Sequence, residues 1–282
     1  MTANIRFVFN NAADRATITA STTSGSLVAA NLKLDERAAV WRSTANTAQT
    51  LLLEWTAAEN IGAVCMAWTN LTALATVNVK GYTLAGDYPA TPAFNETFSP
   101  DSALALGEFV FGVDPLVESG AQRARVASQV QCWLSAVFSV RKLLITITDA
   151  TNALAYIEAS RLVAGAYITP VRNVAQGGFL IGWAEQSKPQ RAESRDLRTE
   201  SLGRWRKLQI NLYRLEAVSR NAVLAMVANG VGRGVWVSVF PDSTEASTKQ
   251  VHGFWAALTE GAELSYPEMD IWSAPLTFEE MG

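Results

Sequence analysis

The chain has 282 residues, of which 49% are hydrophobic and 17% charged, with a net charge of −3 at pH 7. It is long enough for one or two domains and apolar enough to bury a core, which excludes a disordered chain. The acidic balance argues against a nucleic-acid protein, because phosphate contacts need clustered Lys and Arg.

The first fifteen residues, Met1–Arg15, read as an N-terminal arm, with a weakly alternating stretch at Ile5–Phe9 that suits an edge strand or a partner-binding arm. They hold no apolar segment of signal-peptide length, and no run in the chain approaches the roughly 20 apolar residues of a membrane span. The expectation is a soluble protein made in a reducing cytoplasm. From residue 16 the chain carries many short β-prone runs: Ala16–Ala20, Ala39–Ser43, Leu51–Trp55 and Ala75–Gly81. Ile61–Thr69 (IGAVCMAWT) is apolar throughout, which predicts a strand buried on both faces, since one-sided strands alternate. Residues 82–107 hold Pro89, Pro92 and Pro100 and read as a long irregular insertion. Phe109–Val113 suits a short strand. Ser119–Ser139 fits helical spacing and strand composition about equally. Arg141–Gly165 reads as two strands around a turn built by Asp149, Thr151 and Asn152, whose short side chains bond their own backbone. Cys65 and Cys132 sit in apolar runs and are expected as buried free thiols.

Beyond Pro170 the pattern changes. Phe179–Trp183 is a strand, and 188–203 is a polar, charge-rich extended arm whose Lys and Arg alternate with Glu193, Asp196 and Glu200. A long strand follows from Trp205 to Leu215. Glu216–Ala228 is the clearest helix, with Val218, Ala222, Ala225 and Met226 at helical spacing and Asn229-Gly230 as its stop. Val235–Pro241, Val251–Leu258 and Ile271–Phe278 are strands. The fold class expected is mainly β: a jelly-roll β-sandwich over 16–170, then a smaller α+β domain over 171–282 with one helix on a sheet.

Chemistry is sparse. His252 is the single histidine and is expected in a strand in a structural role. One His and two separated Cys cannot furnish a His/Cys metal set. Gly230, Gly232 and Gly234 follow a helix and precede a strand, the reverse of the order a dinucleotide loop needs. Asp87, Asp101, Asp114 and Glu118 lie in or near the long insertion and read as solvated loop acids rather than a glycosidase pair. The chain is expected not to be an enzyme, with no catalytic, cofactor or metal residue. Nine tryptophans are spread along it, mostly in strands, so core packing is their default role. Trp41 and Trp183 are the candidates for stacking on a sugar ring.

Several of these segments together resemble a family. Trp41-Arg42-Ser43, Ala67–Leu71, Ala75–Val79, Ile145–Asp149, Tyr156-Ile157-Glu158 and Arg161-Leu162 follow the order of the galactose-binding-like jelly roll in tail-tip and baseplate (distal-tail-like) proteins of long-tailed bacteriophages. The resemblance continues through Gly182-Trp183, the polar arm, Leu208–Leu212, the Glu216 helix, Trp236–Pro241 and Leu276–Glu280. It implies a structural virion protein, a homo-oligomeric ring or connector between the tail tube and the hub or receptor-binding proteins. No sugar-site motif of that fold is present to be carried over. The alternative is a carbohydrate-binding module attaching to a host surface glycan. In neither case is nucleic acid or membrane insertion expected.

Overall fold

The computed structural model of the chain describes residues 4–100, 128–174, 178–191, 197–229, 232–259, 264–268 and 271–281. The strand expected at Phe109–Val113 and residues 119–127 lie outside them. The described elements are β1 (Arg6–Val8), β2 (Thr17–Ala20), β3 (Trp41–Arg42), β4 (Gln49–Thr69), β5 (Thr76–Tyr82), β6 (Phe94–Phe98), β7 (Ser128–Thr148), β8 (Glu158–Ala159) and β9 (Arg161–Gly165). They continue with β10 (Phe179–Arg191), β11 (Leu197–Leu215), α1 (Ala217–Ala228), β12 (Gly234–Ser238), α2 (Ala246–His252), β13 (Gly253–Leu258), β14 (Ser265–Glu268) and β15 (Ile271–Glu280). The protein is mainly β, with antiparallel sheets throughout, as the alternating runs predict. It divides into two units: Met1–Thr169 with Val235–Trp255, and Pro170–Gly234 with Ala256–Gly282.

The larger unit is built on β4 and β7, two strands of 21 residues each that pair antiparallel. In their first arm Leu51, Leu53 and Trp55 of β4 and Leu143, Ile145 and Ile147 of β7 enter the core. Half-buried residues alternate with them, the period-two pattern of a strand with one wet face. Between Glu54 and Glu59 the surplus residues lie on β4; between Ile61 and Ala63 they lie on β7. The two irregularities cancel, so Glu54↔Lys142 and Ala63↔Trp133 share one register. Bulges bend a strand and increase its twist. Here a matched pair bends the ladder without shifting it.

Past the bend the core-facing residues change parity, to Val64 and Met66 on β4 and Val130, Cys132 and Leu134 on β7. Ile61–Ala67 is buried on both faces, as expected of that unbroken apolar run. The second face is covered from far along the sequence. Gln129 Nε2 donates to the Gly253 carbonyl at 2.7 Å, and Gln131 Nε2 to the Lys249 carbonyl at 3.1 Å. These hydrogen bonds explain why two glutamines are tolerated at 2% exposure. They also correct the expected domain boundary: Val235–Trp255 belongs to the larger unit, so the smaller one is discontinuous.

The N-terminal segment takes the edge-strand alternative and is built into the larger unit. Ile5, Phe7 and Val8 are fully buried, β1 pairs with β12, and Phe7 exchanges two backbone hydrogen bonds with Ile168. The 82–107 insertion also holds more order than expected. Phe94–Phe98 pairs with β5, and the Phe94 ring stacks on Phe138 at 4.6 Å. Ser128–Ser139, where helix and strand competed, is strand. The turn after β7 is locked as its residue types suggest. The buried Asp149 carboxylate accepts from Thr72 N (2.9 Å) and Thr72 Oγ1 (2.7 Å), and Asn152 Nδ2 bonds the Asn70 carbonyl at 2.9 Å. Both cysteines are buried thiols that form no disulfide.

In the smaller unit β11 pairs with β10 on one side and β15 on the other. The last residues of β13 also pair with β15. Helix α1 has its expected bounds but a rotated stripe: Ser219, Val223 and Met226 are buried, whereas Val218 and Leu224 are exposed. Ser219 can face inward because its hydroxyl accepts a hydrogen bond from Val171 N.

One glycine tests the packing of the N-terminal segment. A Cβ at Gly165 would lie 2.5 Å from the Asn10 carbonyl oxygen, a backbone atom that moves only with its segment. Gly165→Ala is expected to cost about 1–3 kcal/mol by overpacking. Gly86→Ala, whose Cβ meets nothing within 4 Å, serves as the neutral control. Urea denaturation of both variants reads the difference; equal stabilities would contradict this packing.

Candidate functional site

Arg161 lies at the start of β9 with its side chain 3% exposed. Its Nη1 and Nη2 hold the two Asp14 carboxylate oxygens at 2.7 and 2.9 Å, its Nε sits 3.1 Å from Asp35, and Nη1 also reaches the Lys33 carbonyl. The guanidinium lies 4.9 Å from the Trp255 ring centroid. A buried charge survives only when paired and hydrogen-bonded, and the planar fork of Arg suits a bidentate carboxylate. Arg161 is therefore a buried clasp joining residues 14, 33, 35 and 255. Its neighbour Glu158 is bound by Arg42 at 2.7 Å, which holds the Arg42 pKa above its ordinary value. Neither charge is left for chemistry.

The two tryptophans singled out for sugar stacking part company. Trp41 is fully buried and donates Nε1 to the Thr22 carbonyl at 3.0 Å, so it presents no face to a ligand. Its ring belongs to the hydrophobic core of the larger unit. Trp183 is 41% exposed. It continues the row of Phe179 and Ile181 on β10, opposite Arg206, which is itself bound by Glu280. A surface depression of about 240 Å³ includes Trp183 together with Leu180, Lys207 and Gln209.

His252 ends helix α2 rather than lying in a strand. Its Nδ1 is 2.9 Å from the Thr248 carbonyl, and its ring meets Phe240 edge-on at 5.0 Å. Lys-Gln-Val-His extends a helical turn up to Gly253, where the strand begins. Of the loop acids, Asp87 is spent on the Leu84 backbone N–H at 2.9 Å. Asp101, Asp114 and Glu118 lie outside the described residues. Among the described residues no group of three His, Cys, Asp or Glu could hold a metal ion. None of their helices is long and apolar enough to cross a membrane.

Sequence reasoning missed a polar cleft in the larger unit. It measures about 240 Å³ and lies between the N-terminal segment, the bend of β4 and the residues after β9. Arg15 grips Glu59 through Nε (2.9 Å) and Nη2 (3.0 Å), and Arg15 Nη1 donates to Asn10 Oδ1 at 2.8 Å. The hydrogen bond to Glu59 raises the Arg15 pKa above its ordinary value, with burial opposing. Asn60 and Tyr167 complete the polar lining, and Phe9 and Ile168 line it too. Arg15 and Glu59 stand 44 positions apart, with no spacing that a motif could register.

No protein-family model matches the sequence, and no curated protein is a significant match. Solved structures similar to the chain are carbohydrate-related. A chitosan-binding module from a chitosanase/glucanase of Paenibacillus sp. IK-5 matches 56% of this chain and 99% of its own, at 12% identity and a TM-score of 0.38. A fucose-binding module of Streptococcus pneumoniae matches 55% of this chain and 94% of its own, at 10% identity and a TM-score of 0.36. A fucosidase of Ruminococcus gnavus, solved with fucose, matches 56% of this chain and 27% of its own, at 11% identity and a TM-score of 0.39.

The contrast between the tryptophans is measurable. Trp41→Ala is expected to cost about 3–5 kcal/mol, the range for emptying a buried aromatic site. Trp183→Ala, at an exposed position, is expected to cost less than about 1 kcal/mol. Chemical denaturation of the two variants decides this, and a Trp41 variant as stable as wild type would contradict the buried assignment.

Proposed function

We propose that the protein is a non-enzymatic structural component of a bacteriophage tail tip or baseplate, acting as a homo-oligomeric ring or connector between the tail tube and the hub or receptor-binding proteins. The observation that carries this reading is the β10–β11 hairpin. Its backbone ladder continues from Glu185↔Arg204 out to Arg191↔Leu197, whereas the pairing of β11 with β15 starts only at Lys207. Among the described residues the outer part is thus a two-stranded ribbon with no third strand. Such a ribbon is marginal alone in water and gains stability by packing against something else. A neighbouring subunit is the partner that this reading supplies.

The distribution of apolar surface supports it. Seven of the thirteen exposed large hydrophobic side chains among the described residues lie in the smaller unit, Leu180, Trp183, Val218 and Tyr266 among them. Exposed apolar groups of this kind are what an assembly interface buries. The order of segments that resembles tail-tip proteins runs through the same strands. Several ionisable groups, by contrast, are engaged with one another, as around Arg161, Arg42 and Arg206.

Native mass spectrometry tests the assembly directly. The intact chain is expected to form a closed oligomer at micromolar concentration. A variant with residues 187–201 replaced by a two-residue turn is expected to shift to monomer while keeping its melting temperature. An intact chain that stays monomeric at every concentration would contradict the proposal.

A further inference from the structure

The cleft at Asn10, Arg15, Glu59, Asn60 and Tyr167 has no part in the assembly role, and its chemistry is specific. Of the residues lining it, two are charged, Arg15 and Glu59, and they neutralise each other through the two-pronged contact. A site of zero net charge has no electrostatic preference for an anion or a cation. Hydrogen-bonding capacity nevertheless remains. The Asn60 amide, Asn10 Nδ2 and the Tyr167 hydroxyl have no hydrogen-bond partner among the described residues. The Glu59 oxygens each keep a lone pair beyond those that Arg15 uses. Both donors and acceptors therefore remain available in the lining.

The rest of the lining is apolar, with Phe9, Ala58, Ala166 and Ile168 beside the Tyr167 ring. That ring is fixed from behind: it meets Trp133 edge-on at 5.7 Å, and the Arg6 guanidinium lies 4.9 Å from its centroid. The ion pair is fixed as well, since Arg15 is held by Asn10 as well as Glu59. A preorganised polar wall needs little ordering on binding. A volume of about 240 Å³ is smaller than the roughly 300 Å³ at which drug-sized sites begin, so a single ring is the right scale.

We propose that this cleft binds one neutral pyranose ring of a glycan, with Glu59, Asn10, Asn60 and Tyr167 bonding its hydroxyls and the apolar lining receiving its C–H face. A pyranose matches each feature: no charge, hydroxyls that both donate and accept, and one apolar face. Arg15 acts as a positioning residue, holding Glu59 and Asn10 in place. The inference is independent of the oligomeric state, and either can fail without the other.

Saturation-transfer NMR on the intact chain tests it, with galactose, fucose, glucose and N-acetylglucosamine as probes and glucosamine and glucuronate as charged controls. At least one neutral sugar is expected to bind, with a dissociation constant of order millimolar, and the charged controls at least ~10-fold more weakly. Asn60→Ala and Glu59→Gln are each expected to weaken binding ~10-fold or more, whereas Trp183→Ala leaves it unchanged. Asn60 is exposed and carries no packing role, so its variant decides the matter even if Glu59→Gln lowers the melting temperature. Binding of no neutral sugar, equal binding of the charged controls, or loss of binding in Trp183→Ala with retention in Asn60→Ala would each overturn the proposal.

Discussion

The ladder between β4 and β7 is the constraint on which the larger unit depends. Each strand is too long to remain flat, and an antiparallel pair of this length must twist or bend. The pair bends because a surplus on one strand is answered by a surplus on the other a few residues later. A single bulge would have left the register shifted beyond it and sent the wrong face to the core. Two opposed bulges keep the register and change which parity faces inward. The first arm can then be one-sided, as Leu51, Leu53 and Trp55 show, while the second is buried on both sides.

That doubly buried arm creates the next requirement. Its outer face must be covered, and the cover comes from both ends of the sequence: β1 from the N-terminal segment, and β12, α2 and the start of β13 from late in the chain. The Arg161 clasp fastens part of the same cover, tying residues 14 and 35 to β9 and placing the cation on Trp255. A group this buried is costly unless its partners are all present. The cleft at Arg15 and Glu59 follows from this arrangement. It exists because the bend of β4 lifts Ala58–Asn60 toward the N-terminal segment, which is pinned by β1 on one side and by Asp14 on the other.

Local pattern made a good part of this legible. The unbroken apolar run at Ile61–Thr69 announced a strand covered on two sides, and Glu216–Asn229 announced a helix with its stop. What pattern could not carry was the identity of the covering layer. Phe7 and Trp236 are apolar residues in short strands, and nothing within a few positions of either names its partner. Trp41 misled for a related reason: the carbonyl that takes its indole N–H, that of Thr22, lies 19 positions away. The α1 stripe turned because Ser219 found a donor in Val171, a partner 48 positions away. The cleft was invisible for the same cause, since its ion pair spans distant segments whose proximity is a product of the bend.

The ribbon formed by β10 and β11 carries the functional claim, and particles are where it is tested most directly. On the tail-tip proposal, electron cryo-microscopy of purified phage particles is predicted to find this protein in a ring at the tail tip, with the ribbon packed against the adjacent copy or the hub. Its absence from purified particles, or a ribbon left in solvent while the rest of the chain is assembled, would contradict the account.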